Sequence, residues 1–145
     1  MKPKLPSTSR SLPIALIRAR EGLMAPIREM LSDTGITEQQ WRVLRVLSEY
    51  GAIDSSTLAD RASILFPSLT RIVATLRDKR LISQTRDEID RRRQIITITE
   101  AGQKIIDERS EQSTQIVANI RETLGDKNYE TLLDLLALLD TGSRD

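Results

Sequence analysis

The chain is predicted to be mainly α-helical, with long helices at both ends and a compact middle that holds one short β-hairpin. Three observations predict it. Apolar residues recur at helical spacing from Leu12 to Leu31, and helical stretches return from Glu100 to Leu124 and from Asp126 to Leu139. Between the ends lie three shorter helical patterns, set off by capping and breaking residues. Two segments rich in Ile and Thr, 81–86 and 94–99, flank a charged stretch, 87–93, and read as a two-stranded hairpin.

The elements follow in order. Residues 1–10 are rich in Pro and Ser without a period, which predicts a flexible arm with ordered structure beginning near Ser11. In the first helix Leu16, Ala19, Leu23, Met24, Ile27, Met30 and Leu31 form one broad stripe, and Ser32-Asp33-Thr34-Gly35 breaks it. Thr37-Glu38-Gln39-Gln40 is a capping box, with Thr37 capping the second helix and Gln40 reaching back. That helix turns Val43, Leu44, Val46 and Leu47 inward and ends at Gly51. Asp54-Ser55-Ser56 offers caps for a short third helix around Leu58 and Ala59. The fourth starts at Pro67, a residue suited to a first turn, and runs to Arg80 with Leu69, Ile72, Val73 and Leu76 inward. Gly125 separates the last two helices. Residues 11–145 are thus expected to form a single domain, with 37–99 as its compact part and 11–31 and 100–140 as its terminal helices.

Composition narrows the function. With 145 residues, 39% of them hydrophobic, the chain has material for one core. Its 22 Lys and Arg nearly balance 21 Asp and Glu, so distribution and not net charge must identify a partner. The absence of both Cys and His removes thiol nucleophiles, thiol redox sensing, imidazole triads and the usual zinc sites. No cofactor or metal is expected. No apolar run approaches the roughly 20 residues a bilayer demands, and Met1-Lys2-Pro3-Lys4-Leu5-Pro6 lacks the apolar segment of a signal peptide. A cytoplasmic location without a membrane partner is the expectation.

Short helix, tight turn, helix and basic hairpin is the chain order of a winged helix-turn-helix. An α-helix fits the major groove, where base edges show a unique pattern of donors and acceptors, while a hairpin reaches the neighbouring backbone or minor groove. The fourth helix turns Pro67, Arg71, Ala74, Thr75 and Asp78 away from its apolar side, and Ser68 and Thr70 flank Arg71 near its start. Alone, this helix reads equally as an ordinary amphipathic surface helix. Asp90-Arg91-Arg92-Arg93 shifts the balance, because three cations at a hairpin tip repel one another unless an anion such as phosphate arrives. A solvated charge run is the other meaning of such a cluster. Asp90 is expected to pair with Arg92 and aim its guanidinium. Pro67, Ser68, Thr70, Arg71, Thr75, Asp90, Arg91, Arg92 and Arg93 are therefore the candidate contacts to double-stranded DNA. A winged helix acting as a protein-interaction module is the alternative; a small enzyme is disfavoured by the missing His, Cys and glycine-rich phosphate loop.

Thr57-Leu58-Ala59-Asp60-Arg61, Leu69-Thr70-Arg71-Ile72-Val73 and Leu76-Arg77-Asp78-Lys79-Arg80-Leu81-Ile82 resemble the helix-turn-helix of the multiple-antibiotic-resistance regulator (MarR) family. Asp90-Arg91-Arg92 followed by Ile98-Thr99-Glu100-Ala101-Gly102 is similar to that family's wing and the helix start beyond it. The resemblance covers nearly the whole chain. Residues 12–21 and 37–45 look most like the homoprotocatechuate degradation operon regulators. One departure is Leu65-Phe66-Pro67, where the family more often shows a polar cap and a polar first turn. Base contacts are accordingly expected from Ser68, Thr70 and Arg71.

Leu132, Leu133, Leu135, Leu136, Leu138 and Leu139 wrap nearly round the last helix, which implies cover on several sides. Packing between the terminal helices accounts for some of it, and the resemblance implies a homodimer built from both chain ends. Arg20 falls in the middle of the first helix's apolar stripe and is expected to be buried and paired. Two partners are open to it: an Asp or Glu of either subunit, or the carboxylate of a small aromatic effector. Trp41 and Arg45, one turn apart, pose a similar choice between plain packing and an aromatic acid held beside a cation. The resemblance implies phenolic and carboxylate effectors, and within the subgroup 3,4-dihydroxyphenylacetate or a relative, releasing a repressor from a pseudo-palindromic operator. A regulator of efflux or stress genes with another phenolic effector is the alternative.

Overall fold

The computed structural model describes residues 1–141. Six α-helices and three strands follow a single 3₁₀ turn at Thr8–Arg10: α1 (Leu12–Leu31), α2 (Glu38–Tyr50), β1 (Ile53–Asp54), α3 (Ser55–Ala62), α4 (Phe66–Asp78), β2 (Ile82–Arg86), β3 (Gln94–Ile98), α5 (Glu100–Leu124) and α6 (Asp126–Leu139). The fold is the mainly helical winged arrangement predicted. Three helix starts, those of α2, α3 and α5, are set by side-chain caps. Thr37 accepts the Gln40 N–H at 3.2 Å while the Gln40 side chain accepts the Thr37 N–H at 3.1 Å, completing the capping box. Asp54 and Thr99 cap α3 and α5 in the same sense, and Gly51, at φ +76°, ends α2 in a conformation that favours glycine.

Two boundaries and one strand differ from expectation. The arm contains the 3₁₀ turn, capped by Ser7, so regular structure begins before Ser11. The fourth helix starts one residue earlier, at Phe66, which puts Pro67 second, where its missing N–H costs nothing, and it ends at Asp78. The expected two-stranded hairpin is a three-stranded antiparallel sheet in the order β1-β3-β2. Ile53 pairs with Ile96 and Asp54 with Ile95, so the segment ahead of α3 joins the wing base through backbone ladder bonds.

The core lies in the compact middle, where Val43, Leu44, Leu47, Leu58, Leu69, Leu76 and Ile96 are fully buried. Trp41, Met30, Leu31 and Ile106 join the same cluster, so the end of α1 and the start of α5 are anchored to it. The far parts of the terminal helices are not. Leu12, Leu16, Ile17 and Leu23 of α1 are exposed, as are the six leucines of α6 from Leu132 to Leu139. Among the described residues no helix is long and apolar enough to cross a membrane.

Candidate nucleic-acid interface and effector cleft

α4 is held by Leu69, Ile72, Val73 and Leu76, which sink into the core and leave Pro67, Thr70, Arg71 and Thr75 exposed and Ser68 half-buried. Its cap position is Leu65, which has no side-chain acceptor, so no side chain takes up the amides of the first turn. The Thr70 and Thr75 hydroxyls donate to the carbonyls of Phe66 and Arg71, at 3.2 and 3.1 Å, and keep lone pairs to accept. The Arg71 guanidinium makes no hydrogen bond or ion pair among the described residues. Its guanidinium is presented outward from the second turn.

The wing tip is folded by its own carboxylates. Asp87 accepts the Ile89 N–H at 2.9 Å, and Asp90 accepts both the backbone N–H and the Nε–H of Arg92 at 3.1 Å. The Arg92 side chain, with its backbone N–H, holds the Asp90 carboxyl below the usual carboxylate range. Arg92 itself stays almost wholly exposed. The three arginines are not equivalent, which corrects the expectation that all three await an arriving anion. Arg93 is drawn back to Asp54 at 2.8 Å and to Asp87 at 3.3 Å, and so ties the wing to the start of α3. Arg91 and Arg92 remain as the projecting pair.

Asp54 thus does two jobs. It accepts the Thr57 N–H at 2.7 Å as the cap of α3 and takes the Arg93 guanidinium on its other oxygen. The Thr57 hydrogen bond, aided by Arg93, holds its carboxyl below the usual range against the opposing effect of partial burial. A cleft of about 370 Å³ opens beside it, bounded by Ser55, Ser56, Phe66, Arg92 and Gln94. The starts of α3 and α4 and the wing base therefore face one concavity. Sequence reasoning identified Asp54 as a cap and missed it as the wing's anchor.

The three expected effector residues do not meet. Trp41 is buried against Ile106, and together with exposed Arg45, Ser110, Ser113 and Thr114 it lines a cleft of about 150 Å³ between α2 and α5. Arg20 lines a separate cleft of about 490 Å³ with Arg28, Ser32, Gly35 and Gln39. It is exposed and not buried, because the part of α1 that carries it extends beyond the core of its own chain. The stripe around it borders an open apolar groove of about 440 Å³ between α1, α5 and α6. Neighbouring Arg28 is engaged by Glu21 through two hydrogen bonds, at 2.8 and 2.9 Å, which raise its pKa above the ordinary arginine value.

The Arg20 cleft is tied to the helix-turn-helix through two of its lining residues, Glu38 and Gly35. Arg42, next to Trp41, is oriented by Glu38 at 2.9 Å and donates to the carbonyls of Ala62 and Ser63, at 2.8 and 3.1 Å, in the turn before α4. At the other end of α4, the Lys79 ammonium donates to the Gly35 carbonyl in the turn that lines the Arg20 cleft.

The profile of the MarR family matches residues 36–93, which contain α2 to α4 and most of the wing. The HTH-type transcriptional regulator FarR of Neisseria gonorrhoeae is 39% identical over 137 residues, covering 93% of this chain and 94% of its own. The homoprotocatechuate degradative operon repressor of Escherichia coli is 35% identical over 130 residues, 90% of this chain and 86% of its own. A crystal structure of NadR in complex with 4-hydroxyphenylacetate superposes with a TM-score of 0.80 at 39% identity, covering 94% of this chain and 96% of that one. Sharing more than a third of its residues with these proteins along nearly its whole length, the chain belongs to the MarR family of DNA-binding transcriptional regulators.

Proposed function

We propose that the chain acts as a homodimeric repressor that reads a pseudo-palindromic operator through α4 and the wing and is released by a small aromatic hydroxy acid. The observation that carries the reading is the shared concavity of α4, α3 and the wing, with Arg92 at its edge and Arg71 exposed on the outer face of α4. In this arrangement Ser68, Thr70, Arg71 and Thr75 meet base edges, with Pro67 setting the helix start. Arg91 and Arg92 meet phosphate or the adjacent groove, with Asp90 aiming Arg92, and Arg93 fixes the wing's angle. The uncovered leucines of α6 and the apolar groove along α1 support a second copy as their cover. Two-fold symmetry then sets the two α4 helices about one DNA turn, roughly 34 Å, apart.

The effector reading rests on the Trp41 cleft. Its volume suits a single aromatic ring, at about the size of a cavity that takes benzene. Arg45 offers the cation a carboxylate needs, and Ser110, Ser113 and Thr114 offer hydroxyls to a phenol. The Escherichia coli relative's operon and the ligand seen in NadR point to the same chemistry, 3,4-dihydroxyphenylacetate or 4-hydroxyphenylacetate. Arg20, from the separate cleft beside the start of α2, supplies the second positive charge once a partner chain closes over α1. A ligand that shifts α2 moves Arg42, and through it the turn before α4. A tenfold loss of DNA affinity requires only about 1.4 kcal/mol of coupling.

Selection from a randomised duplex pool by the purified chain should enrich an inverted repeat with half-sites one turn apart. Titration calorimetry should then show either acid binding, with Arg45→Ala weakening it at least tenfold while leaving operator affinity within about twofold. Failure to enrich any sequence removes the repressor reading, and unchanged acid binding in Arg45→Ala removes the pocket.

A further inference from the structure

The start of α4 is apolar where a DNA-facing helix is ordinarily polar. Leu65 is 80% exposed and Phe66 51% exposed, and they are consecutive, at the cap and the first residue of the helix. Single exposed apolar residues need no explanation, but two adjacent large ones at a helix tip leave a contiguous apolar surface in water. Neither is needed by the core, which α4 serves with Leu69, Ile72, Val73 and Leu76. Phe66 also stands at a junction. It borders the cleft shared with Arg92 and Gln94, and on its other side a cleft of about 270 Å³ with Thr70, Ala74, Arg77 and Gln84.

We propose that Leu65 and Phe66 are specificity residues that read thymine through its 5-methyl group in the major groove. The proposal rests on the reading of α4 as the recognition helix. Of the groups exposed in that groove, the thymine methyl is the apolar one, and apolar side chains including Phe contact it. The flanking chemistry matches a groove wall and not a protein partner. Arg71 and Thr70 follow within two turns, and the projecting Arg92 of the wing borders the same cleft as Phe66, so an occupant must be anionic around an apolar spot. DNA with a thymine in the half-site meets both demands. Pro67 is consistent with the assignment: it has no N–H, so the first turn of α4 carries one donor fewer for a phosphate.

The test uses the full-length chain and the duplex it enriches from a random pool. Each thymine is replaced singly by deoxyuridine, which keeps base pairing and lacks only the methyl. At one or more positions per half-site, affinity should fall about fourfold, the worth of one buried methyl-sized group. Leu65→Ala or Phe66→Ala should lose a similar factor on the thymine duplex and should no longer distinguish thymine from deoxyuridine at its position. Phe66→Leu, which keeps an apolar side chain, should retain part of the discrimination, and thermal unfolding of each variant separates a lost contact from a lost fold. Tolerance of deoxyuridine everywhere, or an equal penalty in wild type and both alanine variants, overturns the inference while leaving sequence-specific binding intact. Absence of any enriched sequence overturns the recognition-helix reading and the inference with it.

Discussion

Asp54 shows how one side chain couples two elements. Its carboxyl titrates lower in the folded chain than its ordinary value of 3.8, first through the Thr57 N–H and then through Arg93. A depressed folded value means that the stabilisation is present above the unfolded value and is lost as pH falls through the folded one. Asp54→Ala should therefore cost about 1 kcal/mol or more at neutral pH, from the lost cap alone, and less in acid, the penalty shrinking as pH falls below 3.8 through the lower folded value. Asp54→Asn, which keeps an acceptor for Thr57 but not the charge facing Arg93, should lie between. Urea unfolding at neutral and acid pH checks this, and a penalty that does not shrink in acid would contradict it. The cap was legible in the sequence because Asp-Ser-Ser precedes an apolar turn. The ion pair was not, because Arg93 lies 39 residues away and only the sheet brings the two together. Arg20 failed for the opposite reason: helical spacing gives a residue's direction on α1 but not whether anything in the chain stands there.

Elements with strong local signals were read almost to the residue. α1, α5 and α6 span the limits their periodicity and breakers set, and the α2 capping box is in place. β1 escaped because two residues cannot show a period; its strand character exists only through pairing with β3. The junction of sheet and α5 is equally tertiary. Thr99 donates its hydroxyl to the Arg80 carbonyl at 2.8 Å, and a side chain at Gly102 would overlap the Leu81 carbonyl oxygen and stand 2.8 Å from Ile98 Cγ1. Gly102→Ala should push α5 off the wing base and lower stability by about 1 to 3 kcal/mol; an unchanged thermal midpoint would show that the helix start gives way freely. The wing makes its own prediction. Arg92→Ala should flatten the plot of log affinity against log salt by about 0.9 for one lost phosphate contact, whereas Arg93→Ala should act chiefly on stability. An unchanged slope for Arg92→Ala would place that side chain away from the backbone.

At the scale of the whole molecule, the chain divides into a compact reading unit and terminal helices whose apolar faces exceed what the chain can cover. That excess was visible in the sequence, since leucines placed nearly all round α6 cannot be satisfied by α5 alone. The groove between α1, α5 and α6 was not, because it depends on how those helices splay. The clefts that hold the candidate effector residues sit where the two parts meet, and the Arg20 cleft is linked through Glu38 to Arg42 and through Gly35 to Lys79, at the two ends of α4. In the proposed dimer large motion is not required, since a small displacement of one α4 relative to its symmetry mate would break the one-turn spacing on DNA. Base reading by α4 is measured by the ratio of affinities for the enriched duplex and an unrelated one, in wild type and in Arg71→Ala at one salt concentration. Arg71→Ala should lose about 1 to 3 kcal/mol on the enriched duplex and little on the unrelated one, so that the ratio collapses. Equal losses on both duplexes, or none on either, would contradict it.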